Sequence, residues 1–171
     1  MTSVQDALFG LAFLPFAAVI SVWVAVSDMS RMKIPNKSVM ALFAVYAVVG
    51  IALVATSVMP LTDYLWRYAH LGVVLLIGFV MNAAGLLGAG DAKFAAVMAP
   101  FVALGDLPVF AYIFAAAIIG GFVLHRLAKR LSFVRSATPG WESWERDDFP
   151  MGLCLGAGLV AYLVFVALTG V

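Results

Sequence analysis

Long apolar runs, nearly free of charge, constrain this chain more than any other feature. A helix needs about 20 mainly apolar residues to cross the hydrocarbon of a bilayer. Ala7 to Ser27 meets that length with no charged side chain inside it. Ser38 to Pro60 is a second run, and Ala69 to Leu87 a third, interrupted only by His70 and Asn82. Gly152 to Val171, entered through Phe149-Pro150-Met151, is the last. Phe94 to Leu124 is long enough for two short or tilted helices, broken at Gly105-Asp106-Leu107-Pro108, where Gly, Asp and Pro together signal a turn. It also fits a re-entrant hairpin, and either arrangement returns the chain to the same side.

Composition agrees with this reading. Of 171 residues, 65% are hydrophobic and 11% charged. A soluble domain of this size cannot bury so much apolar surface. The expected fold is therefore all-α, a polytopic membrane protein of about six helices forming a single transmembrane domain over residues 1–171. The first run is too long for a signal-peptide core and is expected to be retained. Cys154 is the only cysteine, so neither an intrachain disulfide nor a cysteine metal cluster is expected. Its place in an apolar run makes it a small packing residue.

The loops set the orientation. Arg31, Lys33 and Lys37 follow the first run, and Lys93 follows the third. Arg126, Lys129, Arg130, Arg135 and Arg146 lie in the polar segment from His125 to Asp148. Nine of the ten Lys and Arg thus fall on one face, with only Arg67 on the other. The positive-inside rule makes the nine cytoplasmic and puts both termini outside. Asp28 and Asp91, which close and open apolar runs, then share the cytoplasmic face.

Ionisable groups at the edge of a membrane are expensive and usually functional. Two carboxylates that meet there can share a proton and activate water. Each aspartate also has a plainer role: Asp28 marks the water boundary after the first helix, and Asp91 caps the next one. Gly85, Gly88 and Gly90 crowd the approach to Asp91, letting the backbone turn sharply or another segment come close. Proline disfavours helix at the residue before it, so Ile34-Pro35-Asn36 is expected to be extended, with Asn36 available to cap the second helix. Helix dipoles would favour the charged form of Asp91 at a helix start over Asp28 beyond a helix end. The remaining polar residues have structural assignments. Asn82 is expected to bond between helices. Arg67, His70, Asp6, Asp63 and Asp106 read as boundary groups, and Trp141 and Trp144 as interfacial anchors.

Asp28-x5-Ile34-Pro35-Asn36 resembles the first signature of the type IV prepilin peptidases. Gly88-x-Gly90-Asp91-x-Lys93 resembles the second, whose Gly-x-Gly-Asp core is shared with presenilin-type intramembrane aspartic proteases. Pro150-Met151-Gly152 resembles a Pro-aromatic-Gly element near the end of these peptidases, with Met151 where an aromatic is common. The resemblance implies an aspartic endopeptidase of the bacterial inner membrane that removes the basic leader of prepilins, with Asp28 and Asp91 as the catalytic pair. It implies no metal or organic cofactor. The partners it implies are a prepilin-type protein and membrane lipid, and no nucleic acid. No cysteine-bearing cytoplasmic segment precedes the first helix, so the chain resembles the compact Flp/Tad-type branch, in which methylation of the new amino terminus is not expected. Glu142, Glu145, Asp147 and Asp148 form the local acidic cluster that would receive a basic leader. Two other classes remain open at this stage: a small proton- or cation-coupled transporter subunit, and a non-catalytic assembly scaffold of a secretion machine.

Overall fold

In the computed structural model, which describes residues 2–171, every regular element is helical. The long elements are α1 (Ala7–Arg31), α2 (Asn36–Ala55), α3 (Leu61–Ala83), α5 (Leu107–Arg130) and α7 (Met151–Thr169); shorter ones are α4 (Ala89–Met98) and α6 (Ser132–Ala137). All five long helices are long and apolar enough to span a membrane. Proline marks several starts, with Pro35, Pro60 and Pro150 each immediately before a helix. At that position its fixed φ suits the entry and its missing N–H costs nothing. The Asp6 side chain caps α1 by accepting from the Leu8 N–H at 2.7 Å.

Several boundaries move relative to the apolar runs. α1 continues through Asp28 to Arg31, because backbone bonding persists for a turn after hydropathy falls. Met32 then closes it in the left-handed region at φ 50°, donating its N–H to the Asp28 carbonyl at 2.8 Å. α2 ends at Ala55 rather than Pro60, and α3 starts directly after Pro60, taking in Asp63, Arg67 and His70. The Phe94–Leu124 region resolves into the short α4, two 3-10 turns and the long α5. Ten residues of α4 span only about 15 Å, and the following turns complete the passage from the Asp91 end of the bundle to Asp106 at the other.

α1 and α7 pack antiparallel as the central pair. Small residues set their separation: a Cβ on Gly10 would stand 2.5 Å from the Ala167 nitrogen, and one on Gly156 2.9 Å from the Ser21 Cβ. Such close approach is how helices gain packing contacts where no hydrophobic drive separates protein from lipid. An aromatic core fills the space towards α2 and α3, with Tyr46 stacked between Phe13 (5.8 Å) and Tyr64 (5.5 Å).

The end holding both termini contains a buried polar network. Asp106, only 2% exposed, accepts from the Ser3 hydroxyl (2.7 Å), the Val4 N–H (3.0 Å) and the Tyr162 hydroxyl (2.8 Å). Arg67, 9% exposed, bonds the Gln5 side chain and the Pro100 carbonyl and lies over the Phe9 ring. Neither residue is the boundary group expected: each is drawn inward because partners from distant segments satisfy it. Asn82 also departs from expectation, donating to the Leu87 carbonyl at 2.8 Å to fasten its own loop rather than bonding between helices.

The polar segment is partly helical. α5 absorbs His125 to Arg130, and α6 follows. Trp144 is buried, stacked on His125 at 5.3 Å and on Trp141 at 5.8 Å, so it anchors the segment to the bundle rather than to the lipid interface.

Candidate active site

Asp28 lies in the last turn of α1 and is only 5% exposed. The start of α7 comes directly against it. The Gly152 N–H donates to Asp28 Oδ2 at 2.7 Å. The approach has no room for a side chain, since a Cβ on Gly152 would stand 2.9 Å from Asp28 Cβ and Oδ2 and 3.0 Å from Val24 Cγ1. Pro150, buried, sets the direction in which α7 begins. The free N–H groups of a helix start are a natural seat for a carboxylate.

Asp91 sits in the first turn of α4 rather than before it. Gly88 is the residue before that helix begins, and the Asp91 side chain turns back over it. Its Oδ2 lies 2.5 Å from where a Cβ on Gly88 would stand. Asp91 thus holds the third helical position, from which an acidic side chain faces the backbone at the helix start. Asp91 is half-buried and lines the same cavity as Met151, the neighbour of Gly152. Both carboxylates thus meet the start of a helix, and the dipole argument that separated their roles loses its basis.

The two remaining segments interlock around the pair. A Cβ on Gly90 would lie 3.2 Å from the Ile34 Cβ and 3.5 Å from the Ile34 nitrogen, so the buried Ile34 rests directly on α4. Pro35 ends the extended link and starts α2. Asn36 is already helical and does not cap; its Oδ1 accepts instead from Lys93 Nζ at 3.3 Å. The Ser27 hydroxyl donates to the Lys33 carbonyl at 2.9 Å, tying the end of α1 to the link. Residues from α1, α2, α4 and α7 therefore converge on one end of the bundle.

The acidic cluster lies on the exposed segment before α7. Arg146 pairs weakly with Glu142 (3.8 Å) and Asp148 (3.9 Å). Lys129 and Arg126 donate to the backbone carbonyls of Arg146 (2.9 Å) and Asp147 (3.3 Å), holding the segment to α5. Glu145 and Asp147 have no ion partner among the described residues.

The contribution of Gly152 was not legible as chemistry, because a backbone N–H leaves no side-chain signature; the Pro150-Met151-Gly152 element was the available signal. No curated protein and no solved structure matches this chain. The type IV leader peptidase family matches over residues 15–125, more than half of the chain and including both aspartates, while Gly152 lies beyond the matched stretch. The chain with this convergent end belongs to the type IV leader peptidase family.

Proposed function

We propose that the protein is a membrane-embedded aspartic endopeptidase that removes the short basic leader of Flp-type prepilins at the cytoplasmic face of the inner membrane. What supports this reading is that Asp28, in the last turn of α1, and Asp91, in the first turn of α4, lie at one end of the bundle, with the start of α7 bonded to Asp28. The excess of Lys and Arg at that end supports the cytoplasmic assignment.

Two neighbouring carboxylates do not readily ionise together, so one keeps a proton. The ionised carboxylate takes a proton from water as the oxygen attacks the scissile carbonyl carbon. The protonated partner donates a hydrogen bond to the carbonyl oxygen, where negative charge develops. Collapse of the tetrahedral intermediate breaks the C–N bond, and the leaving nitrogen receives a proton from the pair. The products are the leader with a new carboxylate and the mature chain with a new amino terminus. The water balances the reaction without a metal or organic cofactor.

The test is cleavage of a leader-bearing precursor in reconstituted membranes. Asp28→Asn and Asp91→Asn should each abolish leader removal while insertion and folding persist, because an amide cannot alternate as acid and base. Asp63→Asn, in the exposed first turn of α3, should cleave like the parent. Substantial cleavage by either of the first two variants would refute the pair.

A further inference from the structure

The bundle is open on one side of Asp91. α5 packs on α7 rather than on α3, and a cavity of about 650 Å³ lies between these walls. Its floor is a single face of α4 and the turn after it: Asp91, Ala95, Ala99 and Val102. The first three are spaced four residues apart, which stacks them along one helical face. Val73 of α3 and Leu107 of α5 stand on opposite walls. The lining is almost wholly apolar, and Asp91 is its one acidic side chain.

We propose that this groove seats the apolar helix of the precursor, laid along α4 between α3 and α5 with its amino-terminal end at Asp91. The proposal rests on the peptidase reading and adds the docking surface and its polarity. Ala95 and Ala99 let an incoming helix bring its backbone close, as small residues do in membrane helix pairs. A groove that follows α4 from Asp91 to Val102 runs for about 16 Å, roughly three helical turns. It therefore grips the part of the precursor nearest the cut and leaves the rest of the helix to lipid.

Within the groove itself, Asp91 favours this occupant over a phospholipid. An acyl chain fits the apolar floor, but its phosphate would then meet Asp91. Met151 lines the same end. A basic leader joined to an apolar helix matches an apolar groove with an acid, Asp91, at its head.

Photo-crosslinking tests the proposal. A benzophenone side chain is introduced singly at Val73 or Leu107, which are 58% and 47% exposed. Control probes go at Val19 and Val48, 71% and 69% exposed on α1 and α2 and outside the groove. Each is placed in the Asp28→Asn background, so that the precursor is not consumed. The precursor carries a lysine-containing leader and an apolar helix of about 20 residues. Precursor adducts should favour the groove positions by about tenfold, the ratio given by a site about 1.4 kcal/mol better than open lipid. Excess unlabelled precursor should compete them away. Equal adducts at all four positions, or adducts to lipid alone at Val73 and Leu107, overturn the groove. Cleavage by the parent enzyme without groove enrichment overturns the docking surface and leaves the peptidase standing. Enrichment without cleavage by the parent has the reverse meaning, and absence of both overturns both.

Discussion

At the residue scale, the decisive contact is a backbone N–H on a buried carboxylate. Gly152 approaches Asp28 closely because it has no Cβ, and its N–H is free because it opens a helix. Gly152→Ala should push α7 away from Asp28 and lower kcat on the order of 10- to 100-fold, the usual effect of a displacement near 1 Å in a reacting group. Steady-state kinetics with a melting curve in detergent checks this: a lower Tm from the overpacked contact is expected, with kcat of the still-folded enzyme reduced as well. Asp106 offers the contrast. It accepts three hydrogen bonds from two other segments at the opposite end. In Asp106→Asn an amide NH2 would face some of those donors. The cost should be about 1–3 kcal/mol of stability, read as a lower Tm, with kcat of the folded fraction little changed. This carboxylate and Asp28 look alike as single acids beside apolar runs, and only their partners tell them apart.

At the element scale, the segment between α6 and α7 is bound to the bundle and yet presents acids. His125 and Trp144 hold it by stacking, while Lys129 and Arg126 hold its backbone. Exposed ion pairs contribute only about 0–1 kcal/mol each, so no single acid there should matter. Neutralising Glu142, Glu145, Asp147 and Asp148 together should raise KM for a basic-leader precursor at low ionic strength, with kcat unchanged. The effect should fade as salt shortens the Debye length to about 10 Å or less. Glu142 and Asp148 already share Arg146. The double variant Glu145→Gln, Asp147→Asn should therefore reproduce most of the rise. An unchanged KM in the quadruple variant at low salt would show a solvated loop with no part in capture.

At the scale of the whole molecule, the α1–α7 pair links the middle of the bundle to the end that holds Asp28 and Asp91. Gly156 lies one turn beyond Gly152 and meets Ser21 with no space for a side chain. Gly156→Val should separate the helices, lowering both Tm and kcat although the residue touches neither aspartate. Gly72, where an added Cβ meets nothing within 4 Å, provides the control: Gly72→Ala should match the parent in both. Parallel melting and cleavage measurements on the two variants separate a packing effect from a general intolerance of glycine replacement.

The membrane class, the helical fold and the family were legible along the chain because they depend on local properties. Hydropathy over a window decides which segments enter lipid, and the short spacings around Asp28 and Asp91 carry the family resemblance. Helix ends were less legible, as α1 and α3 show, since backbone bonding and proline set them while hydropathy does not. The rest required tertiary structure, for one physical reason. Whether a polar group belongs at a boundary or inside depends on partners that arrive from elsewhere in the chain. Arg67 is buried because Gln5 and Pro100 reach it, and Asn36 meets Lys93 instead of capping a helix. Gly152 reaches Asp28 because α7 packs against α1, and the open groove beside Asp91 exists because α5 packs on α7 and leaves α3 apart.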